Sequence, residues 1–400
     1  MCWRLERPRR PSSLLLLGAA GVAAGAVVLL GVAMLGASRS SGHIPASTEP
    51  GELASGLPSP LNLSRGRVFY VSRTGSDSNP GTRKRPWRTI QMALKRLKPG
   101  QTALVRRGTY SEDLIMSRAG TTTAPITLAA YPGETVVLHA ASTSGNTYPI
   151  QITGSYFRLR GFVIERALGT SSANIYFSGF ANHIEIVGND IRNGQDQGIF
   201  AERTTSDIQI LRNRIHDNGL GHRSGQHQSH GIYIEGANDL IANNIIYGQP
   251  YGFGIQIYPA NHDTIVVDNT IAFNGFSGIV LGGSGGVSNI TVRNNILAYN
   301  SSYGIAALDP APTGSVVDHN VIFANGAGAI GPRFGGTDFG GGNSLRDPRF
   351  VSPAAANFRL LPDSPAIDQA LPEYSEPIDL DGISRPQGQA PDIGAFEYAQ

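Results

Sequence analysis

The chain has 400 residues, a formal net charge of +2, 16% charged residues and 50 glycines. Four arginines fall in the first ten residues, so the remainder is close to neutral, which excludes the basic face of a nucleic-acid-binding protein. Cys2 is the single cysteine, so no disulfide framework exists and the fold depends on a packed interior.

Residues 1–13 carry Arg4, Arg7, Arg9 and Arg10, and Leu14 to Ala37 is an uncharged apolar run of 24 residues. Such a run is long enough for a transmembrane helix, and the flanking arginines hold the N-terminus on the cytoplasmic side. The rival is a cleaved signal peptide, whose apolar core is normally about 7–15 residues followed by small residues. Leu35 fits that pattern poorly. The expectation is a membrane anchor at 14–37, with a signal peptide as the alternative; either puts the rest of the chain on the outer face of the membrane or in secreted form. Residues 38–64, rich in Ser, Pro and Gly, read as a flexible linker.

From Arg67 the sequence runs RVFYVSRTGSDSNPGTRKRPWRTIQMALKRLKPGQTALVRRGTY. Trp87, Ile90, Leu94 and Leu97 share one face of a helix predicted to start at Pro86. A short amphipathic helix here is suited to close the open end of a stacked structure.

A phrase then recurs from about residue 157 to 330, apolar-x-apolar-x-x-Asn-x-Ile, a polar turn, and Gly-Ile-x-apolar. The Asn falls at Asn189, Asn213, Asn243, Asn269, Asn294 and Asn320, and Gly161 holds that place in the first copy. The Gly-Ile step falls at Gly198, Gly231, Gly254, Gly278 and Gly304. A period of about 24 to 30 residues built from short strands is the mark of a solenoid. Period-2 alternation places Ile184, Ile186, Ile191 and Ile199 inside. One copy cannot bury its own apolar face, so copies stack in register about 4.8 Å apart. An Asn at one point of every turn forms a buried ladder that needs hydrogen-bond partners, for which an antiparallel sandwich offers no reason. The predicted fold is an all-β, right-handed parallel β-helix of at least seven turns over residues 65–342, with Ile126–Leu138 as an earlier turn. Asn343 to Tyr398 leaves the pattern, in DPRFVSPAAANFRLLPDSPAID, DLDGISRPQG and DIGAFEY, so 343–400 is expected to cap the last turns. With both ends covered the reading is a monomer.

The YVS-x-TGSD-x-NPGT opening, the PGQTALVRRGTY step, the Asn turns and the DPRF…SPAID…DIGAFEY ending resemble secreted bacterial right-handed β-helix proteins of the pectate-lyase-like superfamily, over roughly residues 67–398. The resemblance implies a polysaccharide partner and, for some members, calcium; the superfamily holds lyases, hydrolases, epimerases and non-catalytic adhesins, so fold alone does not choose among them. It also implies that the turn before the Gly-Ile strand borders the substrate groove and that this strand forms its floor.

That turn is short in most copies but swells between Ile215 and Gly231 to HDNGLGHRSGQHQSH, holding His216, His222, His227 and His230 with Asp217 and Arg223. With Ile199, Ile232, Ile255 and Ile279 inward, Phe200, Tyr233, Gln256 and Val280 face outward, followed by Glu202, Glu235, Tyr258 and Gly282. Glu202 and Glu235 then stack on adjacent turns, one strand spacing apart. Carboxylates that close bind a cation, share a proton or splay into solvent. Glu202 and Glu235, with Asp196 as a third carboxylate, are therefore a calcium-type oxygen site or an acid/base pair.

His230 is placed as a general base, and Tyr233 as a proton donor if its pKa is depressed. Phe200, Gln256 and Tyr258 on the floor and His227 in the loop are assigned to substrate binding, by aromatic stacking or polar contact. A zinc site of His222, His227 and His230 lacks any known ligand spacing. The only lysines, Lys84, Lys95 and Lys98, precede the turns, so any basic residue beyond histidine is Arg203, Arg212, Arg214 or Arg223, with Arg223 the first choice. The sequence favours a lyase acting on a uronate polysaccharide. Its alternatives are a glycoside hydrolase using Glu202 and Glu235, and a glycan-binding or adhesive surface protein.

Overall fold

The computed structural model describes residues 66–222, 229–334 and 337–399. The anchor, signal and linker readings at 1–65 fall outside these residues. Among the described residues no helix is long and apolar enough to cross a membrane.

The turns wind as the repeat predicts. One turn consists of the strands Asn182–Val187, Asp190–Arg192 and Gln197–Ala201. Each pairs in parallel with the equivalent strand of the turns before and after, so the described residues form three parallel sheets of 11, 9 and 9 strands around a right-handed solenoid of about nine turns. We call these the first, second and third sheets in the order just given. Register is kept without slippage along the third sheet, Ile175, Ile199, Ile232, Ile255, Ile279 and Ile305 lying opposite one another. All six are fully buried, and with the inward residues of the other sheets they form one continuous core.

The buried Asn ladder between the first and second sheets is Asn189, Asn213, Asn244, Asn269, Asn295, Asn320 and Asn343. Each Nδ2 donates to the next Oδ1 at 2.9–3.1 Å. Two expected members therefore shift by one residue. Asn243 and Asn294 stand one place earlier, with φ of 55° and 53°, as do Gly161 and Gly188. In the tandem Asn-Asn pairs the first residue takes the left-handed bend, which Asn tolerates, and the second enters the core. Phe162 holds the ladder position in the turn that contains Gly161, its amide donating to Asn189 Oδ1 at 3.0 Å.

A second ladder, between the second and third sheets, was not expected. Asn218 accepts from Asn174 Nδ2, Asn300 from Asn274 Nδ2 and Asn325 from Asn300 Nδ2, each at 2.9 Å, and Gln249 accepts the amide of Asn218 at 2.9 Å. Gly194 has no side chain to offer in this row. The Asn174 amide fills its place, 2.9 Å from where a Cβ on Gly194 would stand.

The N-terminal helix is present but spans only Ile90–Arg96, with Thr89 as its cap accepting from the amide of Met92. Trp87 is not in it: this residue bridges in parallel to Val71, and its indole donates to Asn79 O. The TGSD-x-NPGT phrase explains the difference. Asp77 accepts the amides of Arg88 and Thr89 at 2.9 Å, holding the chain extended until the helix begins. Trp87, Ile90, Leu94 and Leu97 are nevertheless all buried in the main core.

The C-terminal residues lie along the flank of the solenoid. Phe350, Phe358, Leu360, Ile393 and Phe396 pack on the outward side chains Ile245, Ala272, Ile296, Ala298 and Val321, all of the second sheet. The displaced Asn residues secure this strap: Asn294 bonds the backbone of Leu371, and Asn243 bonds Ile378 O and Arg385.

Candidate active-site cleft on the third sheet

The outward positions of the third sheet are those the repeat indicated. Tyr176, Phe200, Tyr233, Gln256 and Val280 lie opposite one another in sequence. Tyr148, Tyr176, Phe200 and Tyr233 stack in a column, centroids 4.4, 5.5 and 4.9 Å apart and rings within 23° of parallel. The stacked rings cover one another's faces, so the column presents ring edges rather than a flat platform for a sugar. Tyr258 leaves the stack, tilted by 54° and 6.2 Å from Tyr233. Its ring lies on the backbone of Gly283, where a Cβ would come within 1.8 Å of the ring.

Glu202 and Glu235 follow adjacent paired strands, and each is held by the tyrosine of its own side of the column. Tyr176 donates to Glu202 Oε1, the amide of Gly179 donates to Glu202 Oε2 at 3.3 Å, and Tyr233 donates to Glu235 Oε1 at 2.7 Å. The Tyr176 hydroxyl is made less acidic by burial, then by its bond to Glu202, and it also feels the charge of Glu235. Burial, followed by the bond to Glu235, likewise raises the Tyr233 pKa, while Arg203 opposes the shift from nearby. The depressed pKa that would make Tyr233 a ready proton donor is thus not found. Tyr233 stays protonated and positions Glu235.

His230 does border Tyr233, edge-on at 5.7 Å, but it is only 2% exposed. Its ring stacks on Phe253 at 5.0 Å, its amide donates to Gln197 Oε1, and its Nδ1 accepts the amide of Phe253 at 3.1 Å. A neutral imidazole has one lone pair, so with Nδ1 engaged Nε2 carries the hydrogen. Base action by His230 would require that bond to open.

Asp196 stands at the opposite end of the strand from Glu202. Its carboxyl accepts the amide of Ser172 at 3.2 Å and the side chain of Gln197 at 3.1 Å, and His222 Nε2 lies 3.2 Å away. Burial pushes its pKa up to about 7, against the amide of Ser172 and the hydroxyl of Ser229. His222 and Ser229, both from the wide turn, thus lie against one buried acid. His216 belongs elsewhere, on the second sheet, bonded to Asp190 and Asp217 and stacked on Tyr247. Arg223 and His227 lie outside the described residues.

Calcium takes six to eight oxygens. Both Glu202 oxygens and one of Glu235 already accept hydrogen bonds, Asp196 is apart, and among the described residues no group of three or more His, Cys, Asp or Glu is arranged to hold a metal. The described residues alone do not supply the oxygen set that a calcium ion takes. The residues of this face that the sequence reading did not name are Tyr148 and Tyr176. Tyr176 was within reach, since it occupies the Phe200 position one turn earlier.

Fold and residues together define a pectate-lyase-like right-handed β-helix with two tyrosine-held carboxylates beside an aromatic column on the outer face of one sheet. The chain belongs to the family described as Pel9A-like, right handed beta helix region, matched over residues 69–335. It is 24% identical over 328 residues to protein YwoF of Bacillus subtilis, covering 60% of this chain and 70% of that one. It is 37% identical over 79 residues to pectate lyase PEL9 of Emericella nidulans, 19% of each chain. Among solved structures it resembles pectate lyase Pel9A, with a TM-score of 0.61 and 17% identity, over 84% of this chain and 98% of the other.

Proposed function

We propose that this protein is an exported carbohydrate-active β-helix that cleaves a uronate-containing polysaccharide by β-elimination over the third sheet. The observation that carries this reading is the pair of tyrosine-held carboxylates, Glu202 and Glu235, on adjacent turns of a family with pectate lyases among its relatives. β-Elimination needs a base for the proton beside the uronate carboxyl group, positive charge for the enolate that forms, and a proton, supplied by solvent water, for the glycosidic oxygen that leaves as its bond to C4 breaks. Glu235, whose second oxygen takes no hydrogen bond among the described residues, is the proton acceptor. Arg203, near Tyr233, and Arg223 of the wide turn supply positive charge, while Tyr176 and Tyr233 fix the carboxylates. Export is supported by the apolar run at Leu14–Ala37.

Hydrolysis is the second reading, because two carboxylates on adjacent turns also meet the needs of glycoside cleavage. The experiment is incubation of the protein with acidic and neutral polysaccharides, with calcium or a chelator, following ultraviolet absorbance and reducing ends together. Elimination gives both signals and hydrolysis only the second. Glu235→Gln is expected to lower either by about 100-fold or more, the scale of a lost general acid–base group. No product from any substrate would overturn both enzymatic readings and leave a glycan-binding protein. Activity that persists in the chelator agrees with the poor fit to calcium.

A further inference from the structure

The aromatic column covers its own ring faces, so a sugar ring seeking an aromatic face must find it elsewhere. Phe180 offers one. It sits three residues beyond the strand Ala173–Phe177 and is 77% exposed, the highest value for a large apolar side chain among the described residues. Single exposed apolar residues are common and usually mean nothing. Phe180 differs in how its backbone is fixed and in what fixes it.

The preceding amide, that of Gly179, is the one that donates to Glu202 Oε2. The carbonyl of Gly179 accepts the hydroxyl of Thr204, and the carbonyl of Phe180 accepts from Asn182 Nδ2 at 2.8 Å. Ser178 is tied to the turn before, its amide donating to Ile152 O and its hydroxyl accepting from Gln151 Nε2. The chain is thus held on both sides of Phe180 while the ring projects into solvent one residue from a ligand of Glu202. On the opposite side of the strands, in the turn that leads to them, Leu220 is 54% exposed. Carbohydrate rings carry apolar C–H faces beside polar hydroxyls, and a rim of Phe180 next to a carboxylate matches that pattern.

We propose that Phe180 forms a sugar-stacking subsite on the rim of the cleft, binding the apolar face of a saccharide unit adjacent to the one held at Glu202 and Glu235. This rests on the reading of the cleft as a polysaccharide site. It makes Phe180 a binding residue that takes no part in bond cleavage.

The test measures binding as well as turnover, with an oligogalacturonate hexamer and a xylose hexamer as probes on the full chain. Phe180→Ala should weaken binding of the better probe and raise KM by about 5-fold, on the order of one lost aromatic contact, with kcat within about twofold. Phe180→Trp should restore KM, and Leu345→Ala, exposed and remote from the cleft, should change neither. Unchanged binding in Phe180→Ala, or a fall in kcat without a rise in KM, would overturn the subsite while leaving the cleft's function standing. A wild-type protein that neither binds nor converts either hexamer or any polysaccharide of the panel would overturn both.

Discussion

Asn269 shows how much one side chain carries in this fold. Its Oδ1 accepts both the amide and the Nδ2 of Asn244, and its own Nδ2 donates to Asn295 and to two carbonyls. Asn269→Ala removes these partners but leaves the Asn244 amide and the neighbouring carbonyls buried. An unsatisfied buried polar group costs about 1–3 kcal/mol, so we expect a loss of about 3 kcal/mol or more, read from denaturant unfolding. Asn243→Ala, by contrast, should affect mainly the strap. A sequence pattern could not separate the two in Asn-Asn pairs, because both residues are polar and only backbone curvature decides which points inward. The carboxylates were legible for the opposite reason: Glu202 and Glu235 follow strands whose register the buried isoleucines fix. The histidines were harder to place, because nearness in a loop says nothing of direction. His216 points to another sheet, and His222 and His230 point into the protein.

At the scale of elements, the strands are short but their registry is strict. Ile255 is fully buried between Ile232 and Ile279, and Ile255→Ala is expected to cost about 2–5 kcal/mol by leaving a cavity that stacked neighbours cannot collapse. A lower denaturation midpoint with unchanged slope would report it. The alternation of the repeat revealed these strands and the solenoid directly. The N-terminal helix was recognisable but misplaced by four residues, since its start is set by Asp77, 12 residues before Thr89 in sequence. The second polar ladder escaped notice because its Asn and Gln residues lie in turns, where such residues need no buried role.

Across the whole molecule, the strap docks through buried charge. Asp268 accepts the hydroxyl of Ser375 and the amide of Glu376 at 2.9 Å. Glu376 faces Arg212 at 3.6 Å, and both acids also feel Arg385. Burial raises the Asp268 pKa to about 6 and that of Glu376 to about 8, with the arginines opposing it. Folded values above unfolded ones mean that the fold binds more protons, so this contribution to stability is complete below about pH 4 and declines as the pH rises toward 8. Thermal unfolding at a series of pH values should show that decline, and Glu376→Gln should flatten it. A Glu376→Gln profile that matches the wild type would show that this acid is not involved.

Simple solenoids tend to fray, because each turn touches only its neighbours and the last can peel away alone. Here the strap spans turns from Asn243 to Val321 and is fastened to several of them at once. The final turns cannot be shed in sequence while it is in place. They should open together or not at all, so a chain pulled or heated from its C-terminal end would resist until the strap lets go and then lose several turns in one step.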